Sequence, residues 1–163
     1  FIEVRNVGSA PRDVSTMSFV TGVTFSFAAS GLAPLATGAF AVVVGNVAAF
    51  ASRYATNAIT IAGEYQGALA NEGEEIVLRV PGGASLSFSY DGAWFSNCAG
   101  NGASLVINSP YGRPEDWNQR TNWHPSAARY GTPGYDDVIP EPAAAAFLAL
   151  FACARVSGRR FPA

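Results

Sequence analysis

The stretch Gly63-Glu64-Tyr65-Gln66-Gly67-Ala68-Leu69-Ala70-Asn71-Glu72-Gly73-Glu74-Glu75-Ile76-Val77-Leu78-Arg79-Val80 decides the fold class. A polar, Gly-punctuated turn runs without a break into a strand pattern, in which Ile76, Leu78 and Val80 alternate with Glu75, Val77 and Arg79. Pro81 to Ala84 reads as a loop, after which Leu86, Phe88 and Tyr90 alternate with Ser85, Ser87 and Ser89. Side chains of a strand point to opposite faces in turn, so a hairpin with one apolar face is expected, serines outward.

The same signals recur outward from this hairpin. Upstream, Ile2 and Val4 oppose Glu3 and Arg5, a half-buried strand; Asn6 to Asp13 is turn chemistry; Val23, Phe25 and Phe27 alternate with Thr24 and Ser26. Phe40-Ala41-Val42-Val43-Val44 is apolar throughout, which predicts a strand covered on both faces. Asn46 suits the N-cap of one short helix over Val47 to Tyr54, with Phe50 and Tyr54 four apart on one face. Ala58 to Ala62 returns to strand. Downstream, Gly100-Asn101-Gly102 turns into a short strand at Ser104 to Ile107, and Ser109 to Gly134 is loop-like, with Trp117 and Trp123 as anchors. Many short strands and a single helix predict an all-β sandwich over residues 1–135. Its expected core is Ile2, Val4, Phe25, Phe27, Val42, Val44, Ile76, Leu78, Leu86 and Phe88.

With 163 residues the chain suits one domain. Charged residues are only 13% against 49% hydrophobic, which places it with globular rather than disordered chains. All ten basic residues are Arg, which reads as a genomic bias rather than a binding feature. Residues 1–137 hold seven Arg against eleven carboxylates, a net charge of −4, so a nucleic-acid partner is not expected.

The wording of the central stretch, Gly67-x-Leu69-x-Asn71-x-Gly73-Glu74 followed by aliphatic alternation and Pro81-Gly82-Gly83, resembles the lamin-tail domain. That is the immunoglobulin-like module of nuclear lamins and many bacterial exported proteins. Other pieces are similar in the same order: Phe1-Ile2-Glu3-Val4-Arg5-Asn6, Leu32-Ala33-Pro34, Val42 to Asn46, Tyr90-Asp91 with Trp94, Gly100 to Leu105, Asn122-Trp123 and Gly131-Thr132-Pro133-Gly134. The resemblance implies an immunoglobulin-like antiparallel β-sandwich. The Gly-Trp that lamins place after the first turn is absent, with Thr16-Met17-Ser18-Phe19 in its region. Family members also carry a strand ahead of the Ile2 strand. This chain opens at Phe1 inside a strand pattern, without an initiator Met, and is expected to be a fragment lacking that first strand.

The tail is a second specific signal. Residues 136–142 form a linker ending in Pro140-Glu141-Pro142, and residues 143–163 are an uncharged run from Ala143 to Ala154 followed by Arg155, Arg159 and Arg160. This order resembles the PEP-CTERM sorting signal, which implies processing by an exosortase-type enzyme and transit through the inner membrane as a transmembrane helix. Proline fixes φ and lacks an amide donor, so Pro-Glu-Pro holds a cleavage point extended, while Arg stays on the cytoplasmic side. The apolar run reaches only about 18 Å against a hydrocarbon core of roughly 30 Å. A C-terminal helix docked on the domain is the competing reading. With the tail cut or in lipid, Cys98 and Cys153 are not expected to pair.

Chemistry is sparse. His124, the only histidine, lies between Trp123 and Pro125 without a Gly-x-Ser-x-Gly elbow, and reads as a structural residue. Cys98 has no activating neighbour in sequence. Glu72, Glu74 and Glu75, and Asp136-Asp137 near Glu141, are conceivable calcium ligands without EF-hand spacing, and acids at turns are more often simply solvated. No catalytic, cofactor or metal residues are assigned. The expected function is a non-catalytic structural or adhesion module of an exported bacterial surface or envelope protein. The alternative is a module that binds carbohydrate or protein within a larger exported hydrolase, which an exposed platform of Trp94, Phe95, Tyr111 and Trp117 would favour.

Overall fold

The computed structural model describes residues 1–137. Pro140, Glu141, Pro142, Cys153, Arg155, Arg159, Arg160 and the expected apolar helix lie outside the described residues. Ten strands follow in chain order: β1 Ile2–Arg5, β2 Ser18–Thr21, β3 Val23–Ser26, β4 Phe40–Val44, β5 Ile61–Glu64, β6 Gln66–Gly67, β7 Gly73–Arg79, β8 Ser85–Asp91, β9 Leu105–Ile107 and β10 Trp123–Pro125. One short helix, α1 Val47–Ala51, lies between β4 and β5. The protein is all-β. The strands form a three-stranded sheet β1-β4-β5, a five-stranded sheet β6-β3-β2-β7-β8 and a two-stranded sheet β9-β10. Every pair is antiparallel except β4 with β5. That pair corrects the expectation of a purely antiparallel sheet, and the reason is α1. Parallel neighbours need a crossover between them, and the segment carrying α1 supplies it.

The hairpin forms in the expected register. Seven residues of β7 face seven of β8, with Ile76 opposite Phe88 and Leu78 opposite Leu86. The Val80 amide donates to the Ala84 carbonyl at 3.0 Å, closing the loop. Leu86 and Phe88 pack against the core while Ser85 and Ser89 are exposed. Ser87 instead donates its hydroxyl to Glu75 across the pair at 2.6 Å.

The run Phe40 to Val44 is covered on both faces, as its composition requires. Ala41 and Val43 face the five-stranded sheet and share a core with Phe19, Val23, Phe25, Phe27, Ile76 and Leu78. Val42 and Val44 point the other way, onto Phe50 of α1 with Phe1, Tyr54, Ile59 and Ile61 around them. The expectation that Val42 and Val44 share one core with Ile76 is therefore corrected. Alternation sends them to a second cluster that exists only because α1 folds over the outer face. Asn46 caps α1 as expected, accepting from the Ala49 amide at 2.7 Å, and Phe50 meets Tyr54 with ring centroids 4.5 Å apart. Strand β5 starts at Ile61, later than expected, because Thr56 to Ala58 form a 3₁₀ turn.

Asn6 closes β1 and is buried. Its side-chain amide donates to the carbonyls of Ala10 at 2.9 Å and Leu35 at 2.8 Å, and its oxygen accepts from the Gly8 amide at 2.9 Å. One residue thus ties β1 to the turn after it and to the loop that leads into β4. Three such bonds contribute about 0.5–1.5 kcal/mol each, and a buried group left unpaired costs more. Asn6→Ala is therefore expected to lower unfolding free energy by roughly 2–4 kcal/mol, read by urea denaturation. Asn6→Asp keeps the acceptor and should fall between; a loss under about 1 kcal/mol in the Ala variant would show that backbone bonds alone hold the turn.

Candidate functional site

The signature turn is a structural clamp. Gly73 has φ of +110°, and a Cβ there would lie 2.4 Å from the Tyr90 carbonyl oxygen, so only glycine fits. A Cβ on Gly92 would lie 1.9 Å from the Asn71 carbonyl oxygen. Glu74 accepts from the Ala70 amide at 2.6 Å, and the Tyr90 hydroxyl lies 2.6 Å from the Ala70 carbonyl and 3.0 Å from Glu74. Burial, then the bond to Glu74, pushes the Tyr90 phenol well above its usual range. The three glutamates thus serve separate purposes, since Glu75 is taken by Ser87 and Glu72 is exposed. Asp136 is forked by the Arg5 guanidinium at 2.6 and 3.1 Å, while Asp137 accepts from the Ala127 amide at 2.9 Å. No group of three or more His, Cys, Asp or Glu stands ready for a metal among the described residues.

A concave feature among the described residues is a cavity of about 1210 Å³. All of β1 and all of β9 line it, and Leu86, Phe88 and Tyr90 of β8 contribute their core-facing side chains. Among the described residues β1 pairs only with β4 and β9 only with β10, so each presents one unpaired edge. Ile2 and Val4 pack on the core yet remain half-buried, and Leu105, Val106 and Ile107 are half-buried as well. The Phe88 ring meets Trp117 at 5.8 Å and Trp123 at 5.2 Å between centroids, and the Trp123 indole donates to the Trp117 carbonyl at 2.7 Å. The two tryptophans anchor the long loop against β8 as expected from the sequence.

A polar group sits on the same cavity wall. The His124 Nδ1 lies 2.7 Å from the Asn108 Oδ1, and its Nε2 lies 3.6 Å from the Asp137 Oδ2, beyond hydrogen-bond distance. The Asp137 side chain is 3% exposed; its Oδ1 and the His124 Nε2 are buried without a partner. Such atoms carry a desolvation cost that a donor from another group would relieve. As a structural turn residue, His124 would be expected in a loop. The structure places it in β10, opposite Val106 of β9. No sequence spacing links positions 108, 124 and 137, so only folding brings them together.

Cys98 is half-buried, its thiol directed at the Ser104 carbonyl at 3.5 Å, and burial pushes its pKa up. That is the reverse of an activated thiolate. Of the four aromatics considered as a platform only Tyr111 is exposed, at 73%. Trp94, Phe95 and Trp117 are half-buried, with Phe95 beneath the Arg120 guanidinium at 4.8 Å. No helix of the described residues is long and apolar enough to cross a membrane. No protein-family model, curated protein or solved structure matches the chain.

The clamp has a pH signature. A phenol whose folded pKa is raised contributes its full stability below the ordinary value near 10 and loses it as pH rises through the folded value. Tyr90→Phe is expected to cost about 1–2 kcal/mol at pH 7 and to lose less stability than the parent between pH 8 and pH 11. Tyr54 and Tyr65 are raised in the same direction, so part of the alkaline slope should persist. Guanidinium denaturation at the two pH values checks this; parallel slopes for the two proteins would remove Tyr90 from the account.

Proposed function

We propose that the chain is a non-catalytic structural or adhesion module of an exported bacterial envelope protein, an immunoglobulin-like sandwich of the lamin-tail kind sorted through its C-terminal tail. The observation that carries this reading is where the folded body makes its last ties. Gly134 donates to Glu3 at 2.9 Å, Asp136 is held by Arg5 and Asp137 by the Ala127 amide. Val138-Ile139-Pro140-Glu141-Pro142 follows directly. A processing enzyme would therefore work on a strand-incompatible Pro-Glu-Pro that begins at Pro140, three residues past Asp137, the last anchored side chain. The two packed sheets support the domain reading, and the clamp supplies physical reasons for Gly73 and Glu74 in the motif.

In this reading Ala143 to Ala154 lies in the inner membrane during export, with Arg155, Arg159 and Arg160 on the cytoplasmic side. Its reach, about 18 Å, falls short of the roughly 30 Å core and counts against the reading, even with Arg155 snorkelling to lengthen it. The net charge of −4 over residues 1–137 disfavours nucleic acid as the partner.

Mass spectrometry of the mature protein from its native host is the test. The expected C-terminus falls within Pro140 to Pro142 on surface-located material, and replacing Pro140 and Pro142 by Ala should leave uncut protein in the membrane fraction. Surface-located protein ending at Ala163 would overturn the sorting reading.

A further inference from the structure

We propose that the His124 Nε2 and the Asp137 carboxylate form a two-ligand site for a zinc-type divalent cation. The site is built from the end of β9, from β10 and from the segment that closes the described body, and it uses neither edge of β1.

The tautomer of His124 comes first. The Asn108 side chain donates through Nδ2 to the Thr121 carbonyl at 2.8 Å, which leaves its Oδ1 facing the imidazole. That oxygen can only accept, so the His124 Nδ1, 2.7 Å away, carries a proton. In the neutral ring Nε2 is then a bare lone pair, and it is buried without a hydrogen-bond partner among the described residues. Histidines that bind metals have this arrangement, because the bond from the far ring nitrogen fixes both the tautomer and the direction of the ring.

Asp137 supplies the other half. Its side chain is 3% exposed; Oδ2 accepts from the Ala127 amide at 2.9 Å, and Oδ1 is buried without a partner. Among the described residues no arginine pairs with it. A buried carboxylate with one hydrogen bond and no counter-charge is costly, and a cation removes that cost. The length of the gap discriminates between occupants. Nε2 and Oδ2 are 3.6 Å apart. A shared proton draws such a pair to about 2.7–2.9 Å. A tetrahedral cation with bonds of about 2.0–2.1 Å to nitrogen and about 2.0–2.2 Å to oxygen holds the two atoms about 3.3–3.5 Å apart. The observed span lies close to the second figure.

The donor set selects the metal. Imidazole with carboxylate suits zinc and its first-row neighbours, whereas calcium and magnesium take oxygen ligands throughout. Both residues line the cavity, which leaves room for water at the remaining positions. Two protein ligands make a weaker site than the three or four of catalytic and structural zinc centres. A bound cation would fasten Asp137 to β10 directly ahead of Val138, at the end of the described body. This inference is independent of the sorting reading.

A single histidine makes the test direct. The full chain, stripped of metal by a chelator and free of any affinity tag, is titrated with zinc chloride near neutral pH while the ring nitrogens are followed by nitrogen NMR. Expected are a saturating shift of the His124 Nε2 below about 1 mM zinc, retention of the Nδ1 proton and a raised melting temperature. Magnesium at the same concentration should give no shift, and Asp137→Asn should weaken zinc binding by roughly tenfold or more. The titration of the parent protein decides the matter even where Asp137→Asn fails to fold. A ring protonated on both nitrogens in the metal-free protein would assign the gap to a proton and overturn the proposal. So would an Nε2 resonance that zinc leaves unmoved, or equal affinities of the parent and a folded Asp137→Asn. Cobalt(II) in place of zinc should give visible absorption without a sulfur charge-transfer band; such a band would move the cation to a cysteine.

Discussion

Strand β4 carries the architecture because it is buried on both faces. Ala41, Val42 and Val43 have no exposed surface and Val44 has 1%. On one face Ala41 and Val43 meet the five-stranded sheet; on the other Val42 and Val44 meet Phe50 of α1. Fully burying a valine contributes about 1.5–3 kcal/mol, so these residues are among the strongest local contributions in a fold with short strands. Both neighbours of β4 depend on it. β1 lies against it through four residue pairs and β5 through a parallel pairing with an irregular register.

Around this strand the molecule is asymmetric. The β7–β8 side is tied along its length, with seven paired residues, a clamp at Tyr90 and two tryptophans over Phe88. The β1 side is held mainly at its ends. Asn6 fastens one end to Ala10 and Leu35, and Phe1 packs edge-on against Phe50 and Tyr54 with centroids 5.8 and 6.0 Å apart. Between those ends one strand edge borders the cavity. Burial raises the Glu3 carboxyl pKa in spite of the bond from Gly134, so the closing segment reaches β1 at an electrostatic cost. The surface ion pair of Arg5 with Asp136 contributes little by itself, since Asp136 is 67% exposed.

The chemistry-bearing side chains with resolved surroundings are mostly occupied in holding turns: Glu74 at the clamp, Glu75 on Ser87, Asp136 on Arg5, Cys98 on the Ser104 carbonyl. Among the described residues, backbone and apolar surface along β1 and β9 has no strand partner, with the Asp137 carboxylate at its margin.

The amino-acid sequence by itself determined the local structure. Period-two alternation placed the hairpin from Gly73 to Asp91 in its register, Asn46 announced α1, and the uninterrupted run at β4 announced burial on both faces. These are short-range consequences of side-chain direction and backbone hydrogen bonding, readable without knowing the neighbours. Tertiary structure alone decided which face of β4 meets which partner, since alternation separates Val42 from Val43 without saying where each cluster lies. It also decided the parallel β4–β5 pairing, the short strands β2 and β10 whose patterns are too brief to register, and the meeting of Asn108, His124 and Asp137. The cavity belongs to this second class for the same reason. A strand edge borders a cavity only when the fold leaves it without a partner, and pairing is a property of the whole chain.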